Sequence, residues 1–308
     1  MGSSIAADLL MNGQRVVALS PVESPAEAQV YDRIERQIIQ CRQQGLVDKE
    51  ASAYLSHLQL TQDYQDLRGC GLVIESVIEK LDVKRAVLEQ VEAEVRAEAI
   101  ITTNTSAIPI NTLQQFLNHP ERFFGMHWAE PAYTTRFLEI ICGDRSDSTV
   151  AEALYKMAEG WGKEPTLLRK DIRGFVTNRL MYALYREAFF LVENGYATME
   201  DVDRSCKNDA GHWMTFCGPF RYMDLTGLQA YYHVMQDLLP TLSNQTATPS
   251  LIETVAESGG NGTSNGRGFY QYTEQEAQRW EDDFKAFSFD VAKLSARYHT
   301  HRSDSPEE

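Results

Sequence analysis

Basic charge is in short supply in this chain. Its 308 residues carry 29 Lys and Arg against 44 Asp and Glu, a formal net charge of −15 at neutral pH. Binding a phosphate backbone rests on clustered Lys and Arg, so no nucleic-acid partner is expected. No apolar run approaches the roughly 20 residues of a membrane-spanning helix, and no membrane partner is expected either. The N-terminus lacks a basic stretch followed by a long apolar one, so no secretory signal is read there. Cysteine is sparse as well. Cys41, Cys70, Cys142, Cys206 and Cys217 are odd in number, scattered, and never spaced Cys-x-x-Cys. That pattern argues against a disulfide framework or a zinc site. Free thiols in a reducing, cytoplasmic setting and no metal are the expectation.

What is present is enough apolar sequence for a sizeable core, with 43% hydrophobic and 24% charged residues. In the first half, short β-branched runs alternate with amphipathic stretches. The pattern predicts strands over 15–19, 72–76, 100–103, 123–127 and 137–141, and helices over 26–44 and 79–98. In the second of these helices Val83, Val87, Leu88 and Val91 recur at helical spacing. Alternation of this kind implies βαβ units and a mainly parallel sheet covered on both faces. After residue 170 strand signals nearly vanish. Helices are predicted over 175–192, 199–208, onward to 239, and over 274–298, with a Gly-rich loop over 258–268 and a frayed tail over 303–308. The expected division is an α/β domain over 1–169 and an all-helical domain over 170–308, with a boundary near Arg169.

The first residues predict a helix, then the Asn12-Gly13 turn and a strand. A doubly wound nucleotide-binding sheet normally starts one element earlier, with a strand feeding a Gly-rich turn whose N–H groups cradle a pyrophosphate. Gly2 fits the third glycine of such a turn. The first strand and the other two glycines are then missing, and Met1 is expected to be an internal residue of that turn. A sheet without this strand would have two unpaired edges.

Several segments carry a resemblance. They are Asn104-Thr105-Ser106; Phe124-Gly125-Met126-His127-Trp128-Ala129-Glu130-Pro131; Phe137-Leu138-Glu139; Gly174-Phe175-Val176-Thr177-Asn178-Arg179-Leu180; Gly218-Pro219-Phe220 with Asp224; and Gly266-Arg267-Gly268-Phe269-Tyr270. In this order and spacing, over almost the whole chain, they resemble the 3-hydroxyacyl-CoA dehydrogenase family. The resemblance implies a Rossmann-like NAD-binding domain, its mostly parallel sheet lacking the first strand, plus an all-α C-terminal domain that forms a homodimer interface and helps to close the active site. It implies NAD as cofactor and a small-molecule substrate, most simply an acyl-CoA of fatty acid metabolism.

The chemistry can also be argued from the residues. Oxidising a secondary alcohol requires a hydride acceptor and a base for the hydroxyl proton. Histidine suits the second task because its ordinary pKa lies near neutrality. A carboxylate on the other ring nitrogen fixes the tautomer and stabilises the imidazolium. By resemblance His127 is the base and Glu139 its partner, with Ser106 and Asn178 as polar contacts to substrate and nicotinamide. A lone His is more often a satisfied half-buried residue, and Ser106 also fits an ordinary turn or helix cap; the four matching positions together favour catalysis. Glu79 and Lys84 match cofactor positions but fit a solvated helix face equally well. Gly2 and Ser20 are the remaining cofactor candidates.

Departures from the family pattern shape the rest of the reading. Ser20 stands where Asp usually holds the ribose, with Glu23 as a possible substitute; NAD remains favoured over NADP because no nearby Arg offers itself to a 2′-phosphate. Glu130 replaces the common Asn three residues past His127, where it is expected either to raise the histidine's pKa, to pair with Arg136, or to meet a distinct substrate group. Trp213, Met214 and Phe220 are candidates for an acyl pocket, although Met and aromatics are more often plain core. Arg33, Arg36, Arg42 and Lys49 are the only basic residues placed for CoA phosphates. The leading expectation is NAD-dependent oxidation of a 3-hydroxyacyl-CoA. The alternatives are a dehydrogenase of a free 3-hydroxy acid or other polar non-CoA metabolite, and a catalytically impaired structural relative.

Overall fold

The computed structural model describes residues 1–20 and 26–298. The chain divides into two units, Met1–Asn178 and Arg179–Glu308. In the first unit the elements run α1 (Gly2–Met11), β1 (Val16–Leu19), α2 (Ala26–Gln43), α3 (Ala51–Leu55), β2 (Leu58–Thr61), β3 (Leu72–Glu75), α4 (Leu81–Glu94), β4 (Ile100–Thr103), α5 (Ile110–Gln114), β5 (Phe123–Trp128), β6 (Phe137–Cys142), α6 (Ser148–Gly160) and β7 (Glu164–Leu168). Helix α7 (Thr177–Glu193) starts in this unit and continues into the second. The second unit adds only helices, α8 (Met199–Asn208), α9 (Ala210–Met214), α10 (Pro219–Thr226), α11 (Leu228–Leu238), α12 (Ser250–Glu257) and α13 (Glu274–Arg297). The Rossmann-like α/β expectation and the helical second part both hold.

The strands form two sheets. β1 and β2 pair parallel, and a five-stranded sheet runs in the order β3-β4-β5-β6-β7. All its neighbours are parallel except β5 and β6. Among the described residues β1 and β3 each lack a second strand neighbour. The pattern did not anticipate β2, α6 or β7. Strands of four or five residues with one or two branched side chains give little periodic signal.

Every residue of β5 is buried, because both faces of the sheet are covered. On one face Phe123, Ile141, Ile110 and Phe175 share a cluster with α4 residues Leu88 and Val91. On the other, Phe124, Met126, Trp128, Leu138 and Ile140 pack with Ile5 of α1 and Ala151, Leu154 and Ala158 of α6. Gly125 is required by this packing: a Cβ there would lie 2.7 Å from Ile110 Cδ1 and 2.9 Å from Ile141 Cδ1.

Helix α1 ties the parts of the unit together. Ile5 joins the back of the five-stranded sheet, while Ala6, Ala7 and Leu10 pack with Ile34 and Ile38 of α2 and Leu55 of α3. A buried ion pair adds a polar tie, with Lys163 Nζ 2.9 Å from Asp8 Oδ2. The same ammonium donates to the carbonyls of Ala132 and Thr135 at 2.6 and 3.0 Å and lies 5.3 Å from the Trp128 ring centre. Burial pushes the Asp8 carboxyl up to about 6, against the pull of Lys163. Lys163→Met should therefore leave a buried acid without its cation and lower stability by about 3–5 kcal/mol in urea unfolding. Adding Asp8→Asn to that variant should recover most of the loss; a double variant no better than the single would show that the ion pair is not what couples the two residues.

Candidate active site

The antiparallel register of β5 and β6 sets His127 directly opposite Glu139. The two strands are joined by a turn carrying a cis Glu130–Pro131 peptide bond, which returns the chain beside itself. His127 Nδ1 lies 2.8 Å from Glu139 Oε2. Its other nitrogen, Nε2, lies 3.2 Å from Ser106 Oγ. The ring edge contacts Phe137, with centroids 5.5 Å apart, and Phe175 at 5.6 Å. The imidazole is thus clamped by a carboxylate on one side and two aromatic rings on its flanks.

Glu139 is fully buried. Its second oxygen, Oε1, accepts from the backbone N–H groups of Val176 at 3.0 Å and Thr177 at 2.9 Å. Those groups are aimed by two consecutive left-handed residues, Gly174 at φ 81° and Phe175 at φ 50°. Positive φ is unfavourable for a bulky residue, so the burial of Phe175 and the Glu139 hydrogen bonds must hold that turn in place. Burial alone would raise the Glu139 carboxyl, but its bonds to His127 and to the two N–H groups outweigh this and hold it below the ordinary carboxylate range. The expected division at Arg169 falls short of the observed one after Asn178 for the same reason: the start of α7 is bonded to a carboxylate of β6.

Ser106 sits on the loop after β4. Glu79 anchors that loop, its Oε1 accepting from Thr105 Oγ1 at 2.5 Å and from the N–H groups of Ser106 and Ala107, both at 3.0 Å. Burial opposes ionisation of Glu79, and these bonds with the nearby Lys84 overcome it and lower its pKa. Asn178 Nδ2 donates to the Ser106 carbonyl at 3.0 Å. Ser106, His127, Glu139 and Asn178 therefore assemble in one place.

The remaining candidates have other surroundings. Lys84 is not a solvated residue. It is fully buried, 3.0 Å from both oxygens of Glu75 and 3.3 Å from Glu79 Oε2. Glu75 also accepts from Thr103 Oγ1 at 2.6 Å and Val77 N–H at 2.6 Å. A buried ammonium needs such partners, so the positive charge is consumed inside the protein. Arg136 bonds to Glu164 at 2.6 Å, and Glu130 lies 3.2 Å from the amino group of Met1. Ser20 follows β1, its N–H bonded to the Thr61 carbonyl at 3.0 Å. Glu23 lies outside the described residues. Trp213, Met214 and Phe220 belong to the second unit, where Trp213 stacks on Tyr222 with centroids 4.3 Å apart and Met214 and Phe220 are exposed. Among the basic residues considered for CoA, Arg42 pairs with Glu50 at 2.6 Å and Arg36 donates to the Asp32 carbonyl at 3.1 Å.

Sequence reasoning missed Ser76 and the individual role of Asn104. Asn104 Oδ1 accepts the Trp128 N–H at 2.9 Å and so joins the Ser106 loop to the His127 strand. Ser76 follows β3, and its Oγ is buried without a hydrogen-bond partner. A Cβ built on Gly2 would lie 3.6 Å from Ser76 Cβ, so this hydroxyl adjoins the N-terminus of α1. The first turn of α1 contains no acidic residue. An unpartnered hydroxyl beside the positive end of a ten-residue helix fits a pyrophosphate, and no feature of a single sequence marks a serine as orphaned.

The depressed Glu139 carboxyl makes a pH prediction. Its contribution to stability is complete above the unfolded value near 4.5 and is lost as pH falls through the lower folded value. Glu139→Gln should be less stable than wild type at neutral pH, and the gap in urea midpoint should narrow as pH falls below the ordinary carboxylate value of 4.5. A gap that does not change with pH would show that the folded protein does not hold Glu139 ionised.

Comparison with known proteins bears on both units. Residues 1–172 match the model for the NAD-binding domain of 3-hydroxyacyl-CoA dehydrogenase, and residues 174–272 match its C-terminal domain. A 5-formyl-3-hydroxy-2-methylpyridine 4-carboxylate 5-dehydrogenase from Mesorhizobium japonicum is 30% identical over 279 residues, spanning 90% of this chain and 89% of that one. The crystal structure of such an enzyme, described as an NAD+-dependent dismutase, superposes with a TM-score of 0.89 at 29% identity, over 96% of this chain and 94% of that one. The (S)-3-hydroxybutyryl-CoA dehydrogenase PaaH1 of Ralstonia eutropha superposes with a TM-score of 0.74 at 28% identity, over 89% and 95%. The chain belongs to the 3-hydroxyacyl-CoA dehydrogenase family of NAD-dependent oxidoreductases.

Proposed function

We propose that the protein oxidises a carbon bearing a hydroxyl group, an alcohol or a hydrated aldehyde, with His127 as the base. The carrying observation is the run Ser106 Oγ, His127 Nε2, His127 Nδ1, Glu139 Oε2, with separations of 3.2 and 2.8 Å. NAD, when bound, supplies the hydride acceptor. Gly2 at the start of α1 and Ser76 would hold its pyrophosphate. His127 Nε2 takes the substrate hydroxyl proton. Glu139 stabilises the resulting imidazolium and keeps the Nδ1 proton on the correct nitrogen. The Ser106 hydroxyl, 3.2 Å from Nε2, hydrogen-bonds the substrate oxygen and directs it to the base. Asn178 holds the Ser106 backbone and so positions that hydroxyl.

For the substrate, the support favours a small polar compound over an acyl-CoA. The likeness to the pyridine carboxylate dehydrogenase runs almost end to end and is the closer superposition of the two. The basic residues of α2 and its flank that CoA phosphates would need are partly engaged with acidic groups or the backbone. The acyl-CoA reading rests on the family description and on relatives such as the Ralstonia 3-hydroxybutyryl-CoA dehydrogenase, and is the second choice.

His127→Ala should lower turnover by about 10²–10⁴-fold while NADH still binds, read by fluorescence titration. Unchanged turnover would eliminate His127 as the base. A panel of hydroxy acids and aromatic aldehydes, each with and without a CoA thioester, tests the substrate class; activity confined to thioesters would overturn the first choice. An enzyme that neither binds NADH nor turns over any of them would be a structural relative.

A further inference from the structure

The two left-handed residues before α7 are filled in different ways. At φ 81° stands Gly174, which has no Cβ and adopts that conformation freely. At φ 50° stands Phe175, a bulky residue for which the same region is unfavourable. A second glycine there would aim the Val176 and Thr177 N–H groups at Glu139 without that cost. Keeping a phenyl ring is useful only if the ring has a task that glycine cannot perform.

Part of that task is packing. Phe175 is 1% exposed and shares a cluster with Ile110, Phe123 and Ile141. Leu or Met would recover most of this packing. What they lack is a flat face. The Phe175 ring lies 5.6 Å from the His127 imidazole, tilted by 56°, and Phe137 meets the same imidazole edge-on at 5.5 Å and 89°. Both separations lie in the range of attractive aromatic pairs. Phe137 is half-buried at the start of β6, so Phe175 is the one of the two that is closed off from solvent.

Phe175 thereby serves both members of the pair. Its ring packs on His127, and the two N–H groups that follow it bond to Glu139 Oε1. The contact between Nδ1 and Glu139 sets the distance of the imidazole from the carboxylate but constrains the tilt of the ring weakly. Aromatic faces on the flanks constrain that tilt, and the tilt decides where Nε2 is aimed.

We propose that Phe175 is a positioning residue for the reaction, its ring holding the plane of the His127 imidazole so that Nε2 stays aimed at Ser106 Oγ and at the substrate hydroxyl beside it. This rests on the reading of His127 as the base. It accounts for an aromatic side chain at a backbone position that favours glycine.

Three variants of the full chain test it. Phe175→Leu keeps much of the bulk and the unfavourable backbone but removes the flat face. Phe175→Gly removes the ring and relieves the backbone. Leu117→Ala, in the same buried cluster, is the packing control. In protein labelled at its histidine nitrogens, the Nδ1 proton shared with Glu139 should give a far-downfield NMR resonance, assigned by its loss in His127→Ala. Phe175→Leu should broaden it or move it upfield, whereas Leu117→Ala should lower the urea midpoint and leave it in place. Turnover is read on the fastest compound of the hydroxy-acid and aldehyde panel. Phe175→Leu should lower kcat by about 10–100-fold, with KM and the NADH dissociation constant changed by no more than about two-fold. Phe175→Gly should lose kcat to a similar extent although its backbone is relaxed, because the loss follows the ring; if it fails to fold, Phe175→Leu decides. An unmoved resonance in Phe175→Leu overturns the proposal. So does wild-type kcat in either variant at position 175, or an equal fall in kcat in Leu117→Ala. The resonance is read without substrate, so a panel on which wild type has no activity counts against the dehydrogenase reading and leaves the NMR comparison to decide the role of Phe175.

Discussion

The buried carboxylate of Glu139 is the constraint around which the site is organised. One oxygen faces the imidazole of His127 and the other takes two backbone N–H groups at the start of α7. A carboxylate cut off from water is costly unless its oxygens are bonded, and here both are. The residue that faces His127 thereby also anchors the chain segment bringing Asn178 to Ser106. The backbone conformation of Gly174 and Phe175 makes sense only in this light, since the turn is unfavourable by itself and useful only for aiming those N–H groups.

A second layer of acidic groups does similar work around it. Glu79 gathers Thr105, Ser106 and Ala107, and Lys84 bridges Glu79 to Glu75 at the end of β3. The loop bearing Ser106 is thus fixed from the sheet side by carboxylates and from the other side by Asn178. Such over-determination is what holding catalytic groups in register requires, because a displacement of an ångström removes the productive contact. It also gives part of the chain's acidity a purpose inside the fold, where each buried acid described around the site has a bonded partner.

Much of the site was legible beforehand, for a simple reason. His127 and Glu139 lie twelve residues apart on two strands joined by a single turn, and β pairing makes such a separation a contact. Ser106 and Asn178 came from the family resemblance of segments 104–106 and 174–180. The solvated-face reading of Lys84 failed because lysine is ordinarily solvated, and only the convergence of Glu75 and Glu79 turns its position into an interior one. Arg136 was one partner offered to Glu130, and β6–β7 pairing places Glu164 beside it. Ser76 and Asn104 were passed over because their importance lies in what they face.

By itself, the sequence determined the alternation of strands and helices, the helical second part, the family and the four residues that converge, because periodicity and motif order are local properties of the chain. The tertiary structure alone decided which charges are spent internally, where α7 is tethered, and that β1 and β2 form a sheet of their own. Those outcomes depend on the desolvation of particular side chains by distant segments, and the free energy of burying a charge or an apolar face has no meaning until the neighbours that bury it are in place.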